Sequence, residues 1–338
     1  MSIPVVGFFN NKGGVGKTSL VYHMAWMYAD LGRRVLAVDL DPQANLTAAF
    51  VSEERLEELW GDGIERATIY DAIAPLINGI GDVRPPHREP IGPDLSLVVG
   101  NLSLARFEDE LSTQWPLCVD GRERAFRVIT AFWRCIQLAA EEAAAEVVLV
   151  DLGPNLGAIN RSVLVATDHV VVPVAPDLFS LQGLRNLGPT LREWRGQWQD
   201  RIPRNPEKSI ILPDGAMKPA GYVILQHSIR LDRPMLAYDR WMARIPEVYA
   251  GSVLASQPTT IRPDDDEHCL GMLKRYGSLM PMAQEARKPI FHLRSADGAL
   301  GAHAKAARDA RSDFERLAKQ IAARSWAPGG RSRGRSAS

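Results

Sequence analysis

Short apolar runs alternate with longer stretches of helical periodicity along most of the 338-residue chain. The run IPVVGFF at 3–9 predicts a buried parallel strand. A glycine-rich stretch follows, and TSLVYHMAWMYADLG at 18–32 then reads as a helix ending at Gly32. RVLAVDL at 34–40 is a second strand with acids at its carboxyl end. Further strands are expected at 95–100, 147–153, 169–175, 221–226 and 289–293. Helices are expected at 124–146, 180–198, 232–244 and 302–324. Strand alternating with helix predicts the α/β class, with a doubly wound, mostly parallel sheet flanked by helices.

Two segments interrupt the alternation. GIGDVRPPHREPIGPD at 79–94 is rich in Pro and Gly. SQPTTIRPDDDEHC at 256–269 is polar and acidic, and its DDDE run reads as a solvated loop because neighbouring acids repel and hydrate. One domain over 1–324 is therefore expected, with insertions near 51–94 and 256–285. In the last helix Phe314, Leu317 and Ile321 share a face, with Ala310 and Ala318 beside them. The Gly/Ser/Arg-rich tail at 325–338 is expected to be disordered.

Composition narrows the class without naming a partner. Forty basic and forty acidic residues cancel. From 301 to 338, however, nine Lys/Arg stand against three acids, a net of +6 that leaves −6 on the rest. Cys118, Cys135 and Cys269 are widely spaced, which argues against a disulfide framework or a thiolate metal site. No run of about 18 apolar residues is present, and the first residues lack a signal-peptide pattern. A cytoplasmic protein is expected.

The chemistry concentrates in NNKGGVGKTS at 10–19. Gly16-Lys17-Thr18 close a phosphate-binding loop, although Asn11 stands where the general pattern opens with Gly. Gly13 and Gly14 let backbone N–H groups converge on phosphate oxygens, and the helix start adds partial positive charge. Lys17 is expected to reach the β- and γ-phosphates, and the Thr18 hydroxyl to ligate Mg²⁺. The nucleotide loop thus comprises Asn11, Lys12, Gly13, Gly14, Val15, Gly16, Lys17, Thr18 and Ser19.

KGGVGKTS resembles the deviant Walker A motif of the ParA/MinD ATPases, whose early lysine is the signature lysine. VLAVDLDPQANLT (35–47), LSLVVGNLSLARFEDELS (95–112), EVVLVDLGPNLG (146–157) and VVVPVAPDLFSLQGL (170–184) resemble later motifs of that family in the same order. The resemblance covers most of 1–200 and returns weakly after 220. It implies ATP and Mg²⁺ as cofactors and slow, partner-stimulated hydrolysis. It implies that Lys12 reaches the nucleotide of a second subunit, so that ATP holds a homodimer together. Asp39 would lie near the Mg²⁺, Asp41 would orient the attacking water, and Asp151 would be the Walker B acid, here followed by Gly153 where the family usually has Pro. RIPEVYAGSVLA (244–255) resembles an adenine-packing segment, which makes Pro246 and Glu247 base contacts.

ParA-type proteins bind DNA without sequence preference when dimeric and ATP-loaded, and a ParB-like or cargo-adaptor protein stimulates their hydrolysis. The resemblance so implies DNA or cargo partitioning on the nucleoid. Lys305, Arg308, Arg311, Arg316 and Lys319 on the last helix suit phosphate contacts. A second reading is a nucleotide-switched regulator acting through protein contacts in defence or signalling. A third, MinD-like membrane positioning, needs an apolar-faced terminal helix, which the Arg/Gly/Ser end does not offer. A nitrogenase-reductase reading needs paired cluster ligands, and Cys118 and Cys135 do not sit in such motifs.

Overall fold

The computed structural model of the protein describes residues 2–61, 67–227, 235–258 and 260–326. Eight strands form one sheet: β1 (Val5–Phe8), β2 (Val35–Asp39), β3 (Arg88–Gly92), β4 (Leu95–Val98), β5 (Val147–Asp151), β6 (His169–Val174), β7 (Lys218–His227) and β8 (Cys269–Lys274). Their order is β3-β4-β2-β5-β1-β6-β7-β8. Every pairing is parallel except β3 with β4. This is the expected doubly wound α/β sheet.

The central strands β1, β2, β5 and β6 are largely apolar because helices cover both faces of the sheet. On one face Val5, Leu36, Val38, Val148 and Val150 pack with Phe107, Phe126, Phe132 and Trp198. On the other Val6, Phe8, Ala37 and Leu149 pack with Met24, Phe314, Leu317 and Ile321. The helix Lys17–Asp30 and the last helix, Ala302–Ser325, supply that second layer. Register brings the strands' carboxyl ends level: Phe8 pairs with Asp151, and Asp39 pairs with Asp151.

Four expectations need correction. The stretch 124–146 is two helices, Glu123–Ile129 and Ala131–Glu142. Thr130 Oγ1 donates to the Phe126 carbonyl at 2.7 Å and Ser162 Oγ to the Ile129 carbonyl at 2.7 Å, so side chains compete for the acceptors a continuous helix would use. The run at 289–293 is not a strand but a short 3₁₀ turn, Ile290–His292, that plugs Ile290 and Phe291 under the second layer. The last strand is β8, inside the segment read as an insertion. There a Cβ on Gly271 would come within 3.3 Å of Leu317, so the strand runs close beneath the last helix. Finally, β3 lies in the Pro/Gly segment 79–94, at the sheet edge where Pro90 is tolerated.

The acidic run 264–267 is not wholly solvated either. Asp266 is buried and accepts from the Tyr222 hydroxyl at 2.7 Å and from His268 N at 2.9 Å. Burial of a carboxylate is met here by two donors. The tail from 327 onward, with Arg331, Arg333 and Arg335, lies outside the described residues.

Candidate nucleotide site

The loop between β1 and the helix Lys17–Asp30 is shaped by Gly14 and Gly16, with φ of 69° and 97°. A side chain at either would strain the backbone. Asn10 splints the loop: its Oδ1 accepts from Lys12 N at 2.9 Å and its Nδ2 donates to Pro173 O at 2.7 Å. The helix Leu178–Arg201 presses on the same loop through Gly183, where a Cβ would lie 2.7 Å from Asn11 Oδ1. The helix Lys17–Asp30 begins with no side-chain cap and no acid in its first turn. Its leading N–H groups are therefore left for an anion.

Lys17 is buried, and its Nζ donates to the Lys12 carbonyl at 3.3 Å. Desolvation lowers its pKa from the usual lysine value, while Asp151 and Asp41 pull the other way. A lysine desolvated so far binds an incoming polyanion with little hydration left to lose.

Three carboxylates cluster at the ends of β2 and β5, and two of them, Asp151 and Asp41, act on this lysine. Asp39 is fully buried but well supplied: Oδ2 accepts from Thr47 N at 2.8 Å and Thr47 Oγ1 at 2.7 Å, and Oδ1 from Asp41 N at 3.3 Å. Burial still pushes its pKa up to about 6. Asp41 accepts from Gln43 N at 3.0 Å. Asp151 is fully buried and neither of its oxygens has a hydrogen-bond partner. Burial first, then Asp39, drive its pKa well above the carboxylate range, and the Thr18 hydroxyl and Lys17 only partly offset them. An orphaned buried carboxylate beside a threonine hydroxyl is an oxygen-donor set that fits a hard divalent cation. Among the described residues no three His, Cys, Asp or Glu side chains converge to cage a metal alone. A cation there would take its other ligands from phosphate oxygens and water.

Gly153, in the place of the expected proline, leaves room beside Asp41: a Cβ would stand 3.3 Å from Asp41 Oδ1. The loop is fixed instead by Asn160, whose Nδ2 donates to Gly153 O at 3.0 Å and to Asn155 O at 2.6 Å.

A cavity of about 790 Å³ opens over these groups, lined by Gly13, Lys17, Thr18, Asp41, Arg287 and Lys288 among others. A second, of about 330 Å³, adjoins it past Gly16 and Ser19 and is walled by His23, Arg275, Tyr276 and Phe314. Pro246 and Glu247 line neither cavity. Pro246 is buried and Glu247 exposed, on a short helix, Ile245–Val248, that packs on the helix Leu178–Arg201. The segment after β8 supplies Arg275 and Tyr276 to the second cavity. Arg287 lines the first cavity and belongs to none of the motifs read from the sequence. It holds φ of 48°, unusual for a residue with a side chain, and donates to the Val51 carbonyl.

Lys12 forms an ion pair with Asp177 of its own chain. On the last helix Arg311 pairs with Asp30, Arg316 with Asp313 and Lys319 with Glu315, each at 2.7 Å. Lys305 and Arg308 are exposed and have no ion-pair partner among the described residues.

Residues 3–203 match the family model described as an AAA domain. The sporulation initiation inhibitor protein Soj of Bacillus subtilis is 30% identical over 188 residues, which is 56% of this chain and 64% of that one. The chromosome-partitioning ATPase Soj of Thermus thermophilus is 30% identical over 198 residues, 58% of this chain and 65% of that one. The chain spans less than two thirds of the length of the relatives it matches. A putative plasmid partition protein of Borrelia burgdorferi, solved bound to AMPPNP, superposes with a TM-score of 0.60 at 15% identity over 94% of this chain and 98% of that one, a likeness of fold. With the phosphate loop, the sheet order and the strand-end acids already in place, the chain belongs to the AAA domain family, among its ParA/MinD-type P-loop ATPases.

Proposed function

We propose that the protein is a Mg²⁺-dependent ATPase that dimerises around ATP and, in that state, binds DNA non-specifically to partition DNA or a cargo on the nucleoid. The observation that carries the reading is Asp151: a buried carboxylate without partners, facing Lys17 and Thr18 under an uncapped helix start. That arrangement is costly in a protein with nothing to bind there. Thr18 and Asp151, with Asp39 behind them, would hold a magnesium ion, which supplies charge neutralisation of the phosphates when bound. The loop N–H groups and Lys17 bind and orient the triphosphate. Asp41 holds the attacking water in line, since phosphoryl transfer rests mainly on positioning and electrostatics.

Lys12 serves the neighbouring protomer's nucleotide in this reading. Two apposed triphosphates repel, and a unit charge pair near 4 Å is worth roughly 4 kcal/mol at an effective dielectric of 20, so one cation lent by each side decides whether the sandwich forms. A ParB-like or cargo-adaptor protein stimulates hydrolysis. The domain extends over 1–324, with 325–338 as a basic tail. Support comes from the family match and from the Thermus relative's being a chromosome-partitioning ATPase.

The test is ATP turnover and light scattering on the wild type, Lys17→Ala and Lys12→Ala. Turnover is expected in the wild type and lost in Lys17→Ala. Lys12→Ala is expected to bind nucleotide as a monomer without forming dimers. ATP-induced dimers unchanged in Lys12→Ala would refute the sandwich.

A second reading, a nucleotide-switched regulator working through protein contacts, is favoured by one observation. Arg311, Arg316 and Lys319 are already paired with acids, which weakens the basic face. For membrane positioning, no helix among the described residues is long and apolar enough to cross a membrane.

A further inference from the structure

Asp177 stands where the chain leaves β6 and starts the helix Leu178–Arg201, and its two oxygens have separate duties. Oδ1 accepts from Ser180 N at 2.8 Å and caps the helix. Oδ2 is paired with the ammonium of Lys12 in the same protomer. The backbone of Lys12 is tied to the same region, through Asn10 Oδ1 at 2.9 Å and from Asn10 Nδ2 to Pro173 O at 2.7 Å. The pair is open to water, with 28% of the Lys12 side chain and 35% of the Asp177 side chain exposed.

We infer that Asp177 is a positioning residue that stores the Lys12 ammonium in the resting protomer and releases it when a second loaded protomer arrives. This rests on the dimer reading given above. An ammonium engaged with its own carboxylate is withheld from a neighbour's phosphates, so dimerisation must first break the pair. Breaking it is feasible because the pair is partly solvated; a sealed pair would hold the lysine fast. The stored state therefore raises the threshold for dimerisation without blocking it, a bias on a two-state equilibrium. It also leaves Asp177's other oxygen on Ser180, so the helix start does not unravel when Lys12 departs.

The charge and the cap can be separated. Asp177→Asn keeps an acceptor oxygen suited to an N-cap and removes the charge, while Asp177→Ala removes both. The full chain is titrated for dimerisation by sedimentation with Mg²⁺ and AMPPNP, and melting temperature is recorded alongside. An exposed pair changes an equilibrium constant by about 1.4- to 5-fold, and each dimer breaks two. Dimers of Asp177→Asn are thus expected to be roughly 2- to 25-fold tighter than wild type, with the melting temperature held. Asp177→Ala is expected to gain likewise but to melt lower. Tighter dimers with the melting temperature held are a split that a purely structural role for Asp177 would not give. Dimerisation unchanged or weakened in Asp177→Asn, with wild-type dimers intact, overturns the storage role and leaves the dimer reading standing. No AMPPNP-induced dimer in the wild type at any concentration overturns both.

Discussion

Asp39 and Asp151 lie in register on β2 and β5, both shut away from solvent, yet only one of them is hydrogen-bonded. Thr47 gives Asp39 a backbone and a hydroxyl donor, and the Thr47 hydroxyl is itself bonded by Gly100 N at 2.9 Å. A Cβ on Gly100 would lie 2.9 Å from Asp39 Cγ, so the glycine is what lets this strand end close over the acid. Asp39 is thus held as a fixed wall, and Asp151 is left buried without a hydrogen-bond partner, a place a cation would fill.

From this asymmetry Asp151→Asn should stabilise the ligand-free protein at neutral pH while removing turnover. Both acids hold protons more tightly folded than unfolded, since burial raises their pKa. For Asp39 the window runs from the ordinary carboxylate value of 3.8 to about 6: the folded form is favoured below it, and that advantage is lost as pH rises through it. Removing the buried, unpaired charge should add on the order of 1–3 kcal/mol at pH 7.5, and less at pH 4. Urea unfolding at the two pH values measures this; a loss of stability at pH 7.5 would refute the strain assigned to Asp151.

His23 should produce the opposite slope in nearly the same range. It is fully buried as the neutral ring: Nδ1 donates to Ser19 O at 2.7 Å and Nε2 accepts from Ile290 N at 3.2 Å, while the ring stacks on Phe314 at 5.0 Å. Burial lowers its pKa from 6.5 to about 4. The unfolded chain therefore binds the proton first, and stability present above pH 6.5 is lost as pH falls towards 4. At pH 5 the loss is roughly 2 kcal/mol from this group alone. His23→Gln should be less stable at pH 7 but should lack this acid-side loss, as urea midpoints at pH 7 and pH 5 would show. An unchanged acid dependence would assign the slope elsewhere.

Gly183→Ala tests whether the helix Leu178–Arg201 sets the shape of the phosphate loop. The added methyl would stand 2.7 Å from Asn11 Oδ1 and 3.0 Å from Asn10 Oδ1, and Asn10 is anchored on both Lys12 N and Pro173 O. Asn11 can swing aside, but Asn10 cannot without releasing the loop. Nucleotide affinity is expected to fall about tenfold with a stability cost of roughly 1–2 kcal/mol. Calorimetric titration with AMPPNP reads the first quantity. An affinity equal to wild type would show the loop to be independent of that helix.

The core of this fold was legible because its signals are local. Five strands buried on both faces are near-continuous apolar runs, and the phosphate loop is a contiguous motif between a strand and a helix. β8 escaped because its burial alternates only in part and Gly271 sits where Leu317 must pass. Arg275 and Tyr276 follow β8 directly and line the second cavity, a placement that no local motif announces. Asp177 beneath Lys12 lies 165 residues away in the chain, a distance no local pattern reports. The acids at the strand ends were visible as residues, but their difference in hydrogen bonding depends on Thr47 and appears only once β2 and β5 are in register.

The last helix offers unequal charges, and that inequality separates the two readings of function. Arg311, Arg316 and Lys319 are each bonded to an acid, whereas Lys305 and Arg308 are exposed without an ion-pair partner among the described residues. A cation already paired must give up its acid to meet a phosphate, so it contributes less to DNA binding than a free one. If the ATP-loaded dimer binds DNA through this face, Lys305→Ala with Arg308→Ala removes four phosphate contacts per dimer. The slope of log affinity against log salt should then flatten by roughly 3 to 4. Arg316→Ala with Lys319→Ala should flatten it by roughly half as much or less, because their loss is partly offset by freeing Asp313 and Glu315. Fluorescence anisotropy on a random-sequence duplex, with ATP and with ADP at several salt concentrations, resolves these slopes. Binding that is ATP-dependent and more sensitive to the first pair supports partition through the last helix. Equal slopes in all variants would move the DNA contact elsewhere, and no ATP-dependent binding at low salt would leave the regulator reading as the better account of the paired charges.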